Sequence, residues 1–187
     1  MTFHEDSDIK IFKPEEKADQ DSAVLAIVEK MNYHRQNGNV DKAKKLGSDI
    51  AMNAFDATRK EKFVDETFLV PDIIPQVCAL ILFSAEAALN YYLPFQQLSA
   101  IAINTLHETL ISNNAPFYEP AINSTAFSFY YLSVRKGGTD IPKDIGEAFA
   151  MLCRREEDEL FVNQGKQLYT LVLKTIEQMI LDAKFSK

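Results

Sequence analysis

The side chains able to do chemistry are few in this 187-residue chain and stand far apart. There are three histidines, His4, His34 and His107, and two cysteines, Cys78 and Cys153. His107-Glu108 opens the run HETLI, which lacks the second histidine that a zinc-protease helix carries one turn further on. No Glu-x-x-His pair repeats, as the core of a di-iron bundle would require. Cys78 has no basic neighbour in sequence to favour its thiolate. A G-x-S-x-G nucleophile turn is missing, and Gly137-Gly138 lacks the following lysine of a phosphate loop. The sequence therefore points to no catalytic residue, no metal ligand and no cofactor.

Two polar groups remain as binding candidates. Glu86 interrupts the most apolar stretch, DIIPQVCALILFSAEAALNYYL, from Asp72 to Leu93. On a helix advancing about 100° per residue, Asp72, Gln76, Ala79, Phe83, Glu86 and Asn90 share one narrow stripe. That stripe is either plain surface or the wall of a groove, with Glu86 and Asn90 as its polar contacts. The second group is Ser124, Ser128, Tyr131 and Arg135, which align on a helix expected over residues 117–136. An arginine with hydroxyls above it suits a carboxylate or a phosphate. The same residues also suit plain packing, since small serines permit close helix contact and an arginine in a last turn complements the helix dipole. The aromatic groups Tyr91-Tyr92-Phe95, Phe117-Tyr118 and Phe127-Phe129-Tyr130-Tyr131 either fill the core or line an apolar pocket.

The elements that must position these groups are helices. Pro14, Pro71, Pro94, Pro116 and Pro142 each stand near the start of a helical pattern, where the missing N–H costs nothing. Residues 1–13 read as an N-terminal arm, and residues 14–187 as one helical domain. Within that domain a hairpin, 14–62, packs on a core, 72–184. The first helix spans about 14–36 and buries Val24, Ile27, Val28 and Met31. A second, about 40–58, carries the low-bulk strip Ala43, Gly47, Ala51 and Ala54, along which two helices can approach closely. KFVDETFLV is transitional, with Phe63, Phe68 and Leu69 to bury. Then come the apolar helix and one over 95–112 whose polar face carries His107. The helix over 117–136 is apolar nearly all round and so should be enclosed, with Lys136-Gly137-Gly138 as its stop. A helix starting at Pro142, capped by Thr139 or Asp140, is followed by one over about 160–184. The class is all-α: six or seven helices in antiparallel hairpins, as a globular bundle or a short helical array.

The run Asn37-Gly38-Asn39-Val40-Asp41-Lys42-Ala43 resembles the turn and second-helix start of a tetratricopeptide repeat. Gly38 and Ala43 stand at the family's small turn residue and alanine contact, Ile27 at its large apolar position and His34 at its aromatic one. Gly47 and Lys30 depart from the pattern. The resemblance covers one repeat and implies a stacked helical hairpin; an antiparallel hairpin with a close contact accounts for the same residues.

Composition narrows the function. With 47% apolar and 25% charged residues, the chain can bury a globular core. A net charge of −7 lacks the basic footprint of a nucleic-acid partner. Lys42, Lys44, Lys45, Arg59, Lys60 and Lys62 alternate with acidic residues as a solvated helix face would. The polar stripe argues against a membrane-spanning role for the apolar helix. Two sparse cysteines and an acidic N-terminus without signal-peptide order fit the cytoplasm. The expected function is a non-enzymatic module that binds a protein or peptide. The alternative is a small-molecule-binding domain with an aromatic-lined pocket and Arg135 holding an acidic ligand. An enzyme would need distant groups brought together, such as Glu86, His107 and Tyr131. Self-association is compatible with an aromatic-rich helical surface.

Overall fold

The computed structural model describes residues 14–54, 68, 70–136 and 139–186. The expected arm 1–13, most of the transitional segment 60–70, the end of the second helix beyond Ala54 and the Gly137-Gly138 stop lie outside the described residues.

Eight helices form among the described residues: α1 (Pro14–Gln36), α2 (Asn39–Ala54), α3 (Ile74–Tyr92), α4 (Gln96–Ser112), α5 (Tyr118–Ile122), α6 (Ala126–Arg135), α7 (Ile141–Leu152) and α8 (Glu159–Ala183). The all-α class holds. Proline punctuation placed most boundaries: Pro75 and Pro142 fall in the first turns of α3 and α7. Asp140 caps α7 by accepting from the Lys143 N–H at 3.1 Å. The charged run 154–159 forms the turn into α8, where Asp158 accepts from the Leu160 N–H.

The apolar helix α3 is the axis of the molecule, with α4, α5, α6, α7 and α8 packed around it. It is the one described helix long and apolar enough to cross a membrane. Residues Val77 to Ala85 are buried without interruption, followed by Ala88 and Leu89. The two most extensive helix pairs flank this axis, α2 on α4 and α7 on α8. Each is drawn into backbone contact by a glycine. A Cβ on Gly47 would overlap the Ala102 carbonyl oxygen of α4, and one on Gly146 would overlap the Val162 carbonyl of α8. The low-bulk strip of α2 thus finds its close partner in α4.

Several sequence expectations give way here. The stripe Val24, Ile27 and Val28 of α1 is exposed, and only Met31 is partly buried against the core. Because α2 turns its small-residue face to α4, α1 is left in contact chiefly near the α1–α2 turn. The buried residue there is His34, at 4% exposure, tilted against Phe95 with ring centroids 5.1 Å apart. In α8, Leu168, Val172 and Ile176 point inward as expected, but Leu171 is exposed.

The single helix expected over 117–136 is two. Ser124 sits in the break: its hydroxyl donates to the Ala121 carbonyl at 2.7 Å and accepts from the Ala126 N–H at 3.3 Å. A serine that offers the backbone such bonds competes with the helical ladder and ends it. Nor is the segment enclosed. Phe129, Tyr131 and Leu132 are exposed, since α6 meets α3 on one side and α7 on another and leaves the rest to solvent.

The thiol of Cys153 lies at the end of α7, and burial pushes its pKa from 9.0 up to about 12. The neutral thiol is therefore the resting form. Iodoacetamide at pH 8 should leave Cys153 unmodified in the native protein over a time that fully alkylates glutathione, because the thiolate fraction falls roughly a thousandfold. Unfolding in urea should restore its reactivity. Mass spectrometry of the native and urea-treated protein reads the difference.

Candidate functional site

Between α3 and α6 the surface opens into a groove of about 650 Å³. Helix α3 contributes Phe83, Glu86, Ala87, Asn90 and Tyr91, and α6 contributes Phe127, Ser128, Tyr131 and Val134. The groove follows from helix geometry. Asp72 lies exposed in the turn before α3, and along the helix the expected stripe is covered at Ala79 and Phe83, so it is not a continuous polar face. Phe83 marks the floor, packing edge-on against Phe127 and tilted against Tyr130. Past Phe83 the stripe emerges again, and Glu86 and Asn90 form the wall.

Glu86 is the only charged side chain in that lining, and it is held from behind. His107 Nε2 lies 3.0 Å from Glu86 Oε1, and both side chains are about one-quarter exposed. His107 Nδ1 lies 2.8 Å from the Tyr118 hydroxyl. Burial, then the nearby charge of Glu86, raise the Tyr118 pKa, so its phenol keeps its proton and donates. In a neutral imidazole the Tyr118 hydroxyl donates to Nδ1 and the Nε2–H donates to the Glu86 carboxylate. Three helices meet in this chain: α3 supplies the acid, α4 the imidazole and α5 the phenol. Tyr118 also lines a second cleft of about 650 Å³ beside α5. Asn90 is anchored too, its Oδ1 accepting from Ser99 Oγ of α4 at 2.5 Å.

Of the six candidate residues read from sequence, Glu86, Asn90, Ser128 and Tyr131 meet in the groove. Ser124 does not, because the α5–α6 break takes it off the helix and into the turn. Arg135 is exposed at the end of α6 and lies outside the groove lining. The alignment of Ser124 with the other three is therefore lost, while Arg135 stays one turn beyond Tyr131 on α6. His107, placed on a polar face by its pattern, is instead half-buried and bonded at both ring nitrogens. The grouping of Glu86 with His107 is present, but Tyr118 takes the place given to Tyr131.

Both imidazole nitrogens are engaged, so His107 presents no free base to the groove, and no serine or cysteine bonds to it. What faces the groove is a carboxylate, positioned by a histidine and set among aromatic rings. Comparison of the chain with known protein families, curated proteins and solved structures finds no match.

Proposed function

We propose that the protein is a non-enzymatic helical module whose α3–α6 groove binds a peptide segment bearing one positively charged side chain flanked by apolar residues. One observation carries this reading: Glu86 is the sole charge in an otherwise aromatic and aliphatic groove, with its carboxylate oriented by His107. A cation meeting Glu86 gains a charge-assisted hydrogen bond, and the rings on either side supply apolar contact area. The α3–α6 groove is of the kind that accepts an extended or helical segment between two helices. A small acidic ligand held by Arg135 draws no support from this geometry, since Arg135 stands apart and the groove charge is negative.

Selection from a random peptide display library tests the reading. Binders should be enriched in lysine or arginine beside aliphatic or aromatic residues. Glu86→Gln keeps an oxygen for the His107 Nε2–H and removes the charge, so it should weaken the selected peptides about tenfold to a hundredfold. Arg135→Ala should leave them unchanged. Selected peptides that are acidic, or that bind Glu86→Gln as tightly as the parent, would sink the proposal.

A further inference from the structure

We propose that α1 is a self-association surface, separate from the α3–α6 groove, which pairs antiparallel with α1 of a second copy of this chain. Four of the five consecutive residues 24–28 are large and apolar, and each is well exposed: Val24 58%, Leu25 63%, Ile27 44% and Val28 48%. Single exposed apolar side chains are ordinary, but a contiguous run on a helix marks a surface that another element covers. The described body leaves it uncovered. Its hold on α1 is farther along, where His34 is buried against Phe95 and Met31 is partly covered. Val28 and His34 are six residues apart, about 120° round the helix, so the contact that holds His34 leaves Val24, Leu25 and Val28 turned outward.

The charge along α1 says what fits there. Its sequence is acidic before the apolar run, with Glu15, Glu16, Asp19 and Asp21 against Lys17 alone. Past the start of the run the balance turns basic, with exposed Lys30 and Arg35 against Glu29. A fitting partner therefore presents a basic patch, an apolar run and an acidic patch, in that order. The α1 helix of a second copy, laid antiparallel, presents that order, whereas parallel pairing sets like charge on like. Helical spacing gives the register. Asp21, Val28 and Arg35 stand seven residues apart, about two turns each, and so share one side of the helix. A twofold axis at Val28 sets that residue against its own copy, and position 21 of each chain against position 35 of the other, at both ends of the apolar run. Such an interface is isologous and closes at two copies. The overlap of residues 21–35 runs for about 22 Å. That is at the small end of the range for specific interfaces, so dissociation should be of micromolar order.

Sedimentation of the intact chain from about 1 to about 200 μM tests the pairing, with circular dichroism to check that each variant keeps its helices. The mass should rise with concentration from 21.2 kDa toward twice that value. Val28→Glu, at an exposed position, should hold the chain as a monomer throughout. Asp21→Arg and Arg35→Asp should each weaken the dimer about tenfold, because each sets like charges together at both ends. The doubly substituted chain, with the pair reversed, should recover the parent's dissociation constant. A parent chain that stays monomeric to the top of the range overturns the proposal. So does a dimer indifferent to Val28→Glu, because its interface then lies elsewhere. A double variant no tighter than the single ones overturns the antiparallel register.

Discussion

Replacing Gly47 by valine should cost the protein about 3 kcal/mol of stability, near the top of the range for overpacked interiors. The reason lies in what the new atoms meet. A Cβ at position 47 overlaps the Ala102 carbonyl oxygen and comes within 3.0 Å of the Leu106 N–H nitrogen. Both are backbone atoms of α4, and they cannot turn aside as a flexible side chain would. Helices α2 and α4 must separate, and the separation opens gaps beside Ala43, Leu46 and Ile50, which are buried. Gly47→Ala should cost less, because one methyl group intrudes less and alanine returns about 1 kcal/mol of helix propensity. Gly38 provides the contrast. It has φ +77° and nothing within 4 Å of its would-be Cβ, so Gly38→Ala loses only the backbone cost of a left-handed residue, about 1–2 kcal/mol. Urea denaturation of the three variants reads the order directly. A Gly47→Val protein as stable as the parent would mean that the close α2–α4 contact is not present in solution.

Asn39→Ala should lose about 2–3 kcal/mol through a different mechanism. Asn39 is wholly buried, and its amide is fully used. Its Nδ2 group lies 2.9 Å from His34 Nδ1 and donates to the Ser186 carbonyl at 2.7 Å, while its Oδ1 accepts from the Ser186 N–H at 2.9 Å. The side chain therefore pairs with both polar groups of one distant residue, as a neighbouring strand would. Lys42 Nζ reinforces the strap by donating to the Lys184 carbonyl at 2.7 Å. Truncation to alanine leaves three partners unsatisfied, each worth about 1–3 kcal/mol if it stays buried. Residues 184–186 can escape part of that cost by peeling into water, which limits the total. Amide exchange at Ser186 should therefore accelerate far more than exchange in the middle of α8. Asn39→Asp should be no better, since a carboxylate has no N–H to offer the Ser186 carbonyl. Unchanged exchange at Ser186 in Asn39→Ala would show that the strap has another cause.

The contrast between these two positions says what a sequence can and cannot disclose. Gly47 stood out beforehand as part of a low-bulk strip, because small residues at helical spacing announce a close approach whatever the partner is. The partner, α4, depends on how α2 is turned and could not be read. Asn39 looked like an ordinary turn residue beside Gly38, and its partner lies 147 residues away. The candidate site divides the same way. Glu86 and Asn90 were legible because a polar residue within an apolar helix is rare and their spacing is regular. Tyr118 was not, because its bond to His107 is made across the reverse turn Asn113–Phe117 and depends on how that turn closes. Equidistant pairing about Pro94 would set Glu86 against Ala102, whereas the structure sets it against His107, farther along α4. The α5–α6 break failed for a local reason: the Ser124 hydroxyl outbids the helix for its own backbone, and apolar periodicity carries no trace of that.

The placement of Tyr91 and Tyr131 on the rim of the groove has an optical consequence. The chain contains no tryptophan, so its seven tyrosines dominate its intrinsic near-ultraviolet emission. Tyr91 is 80% exposed and Tyr131 is 60% exposed, while Tyr130, next in sequence to Tyr131, is wholly buried. A guest settling against Glu86 changes the solvent around these two rim rings, whose emission contributes to the total from seven tyrosines. The protein thus carries a built-in indicator of groove occupancy, readable without a label or a substitution.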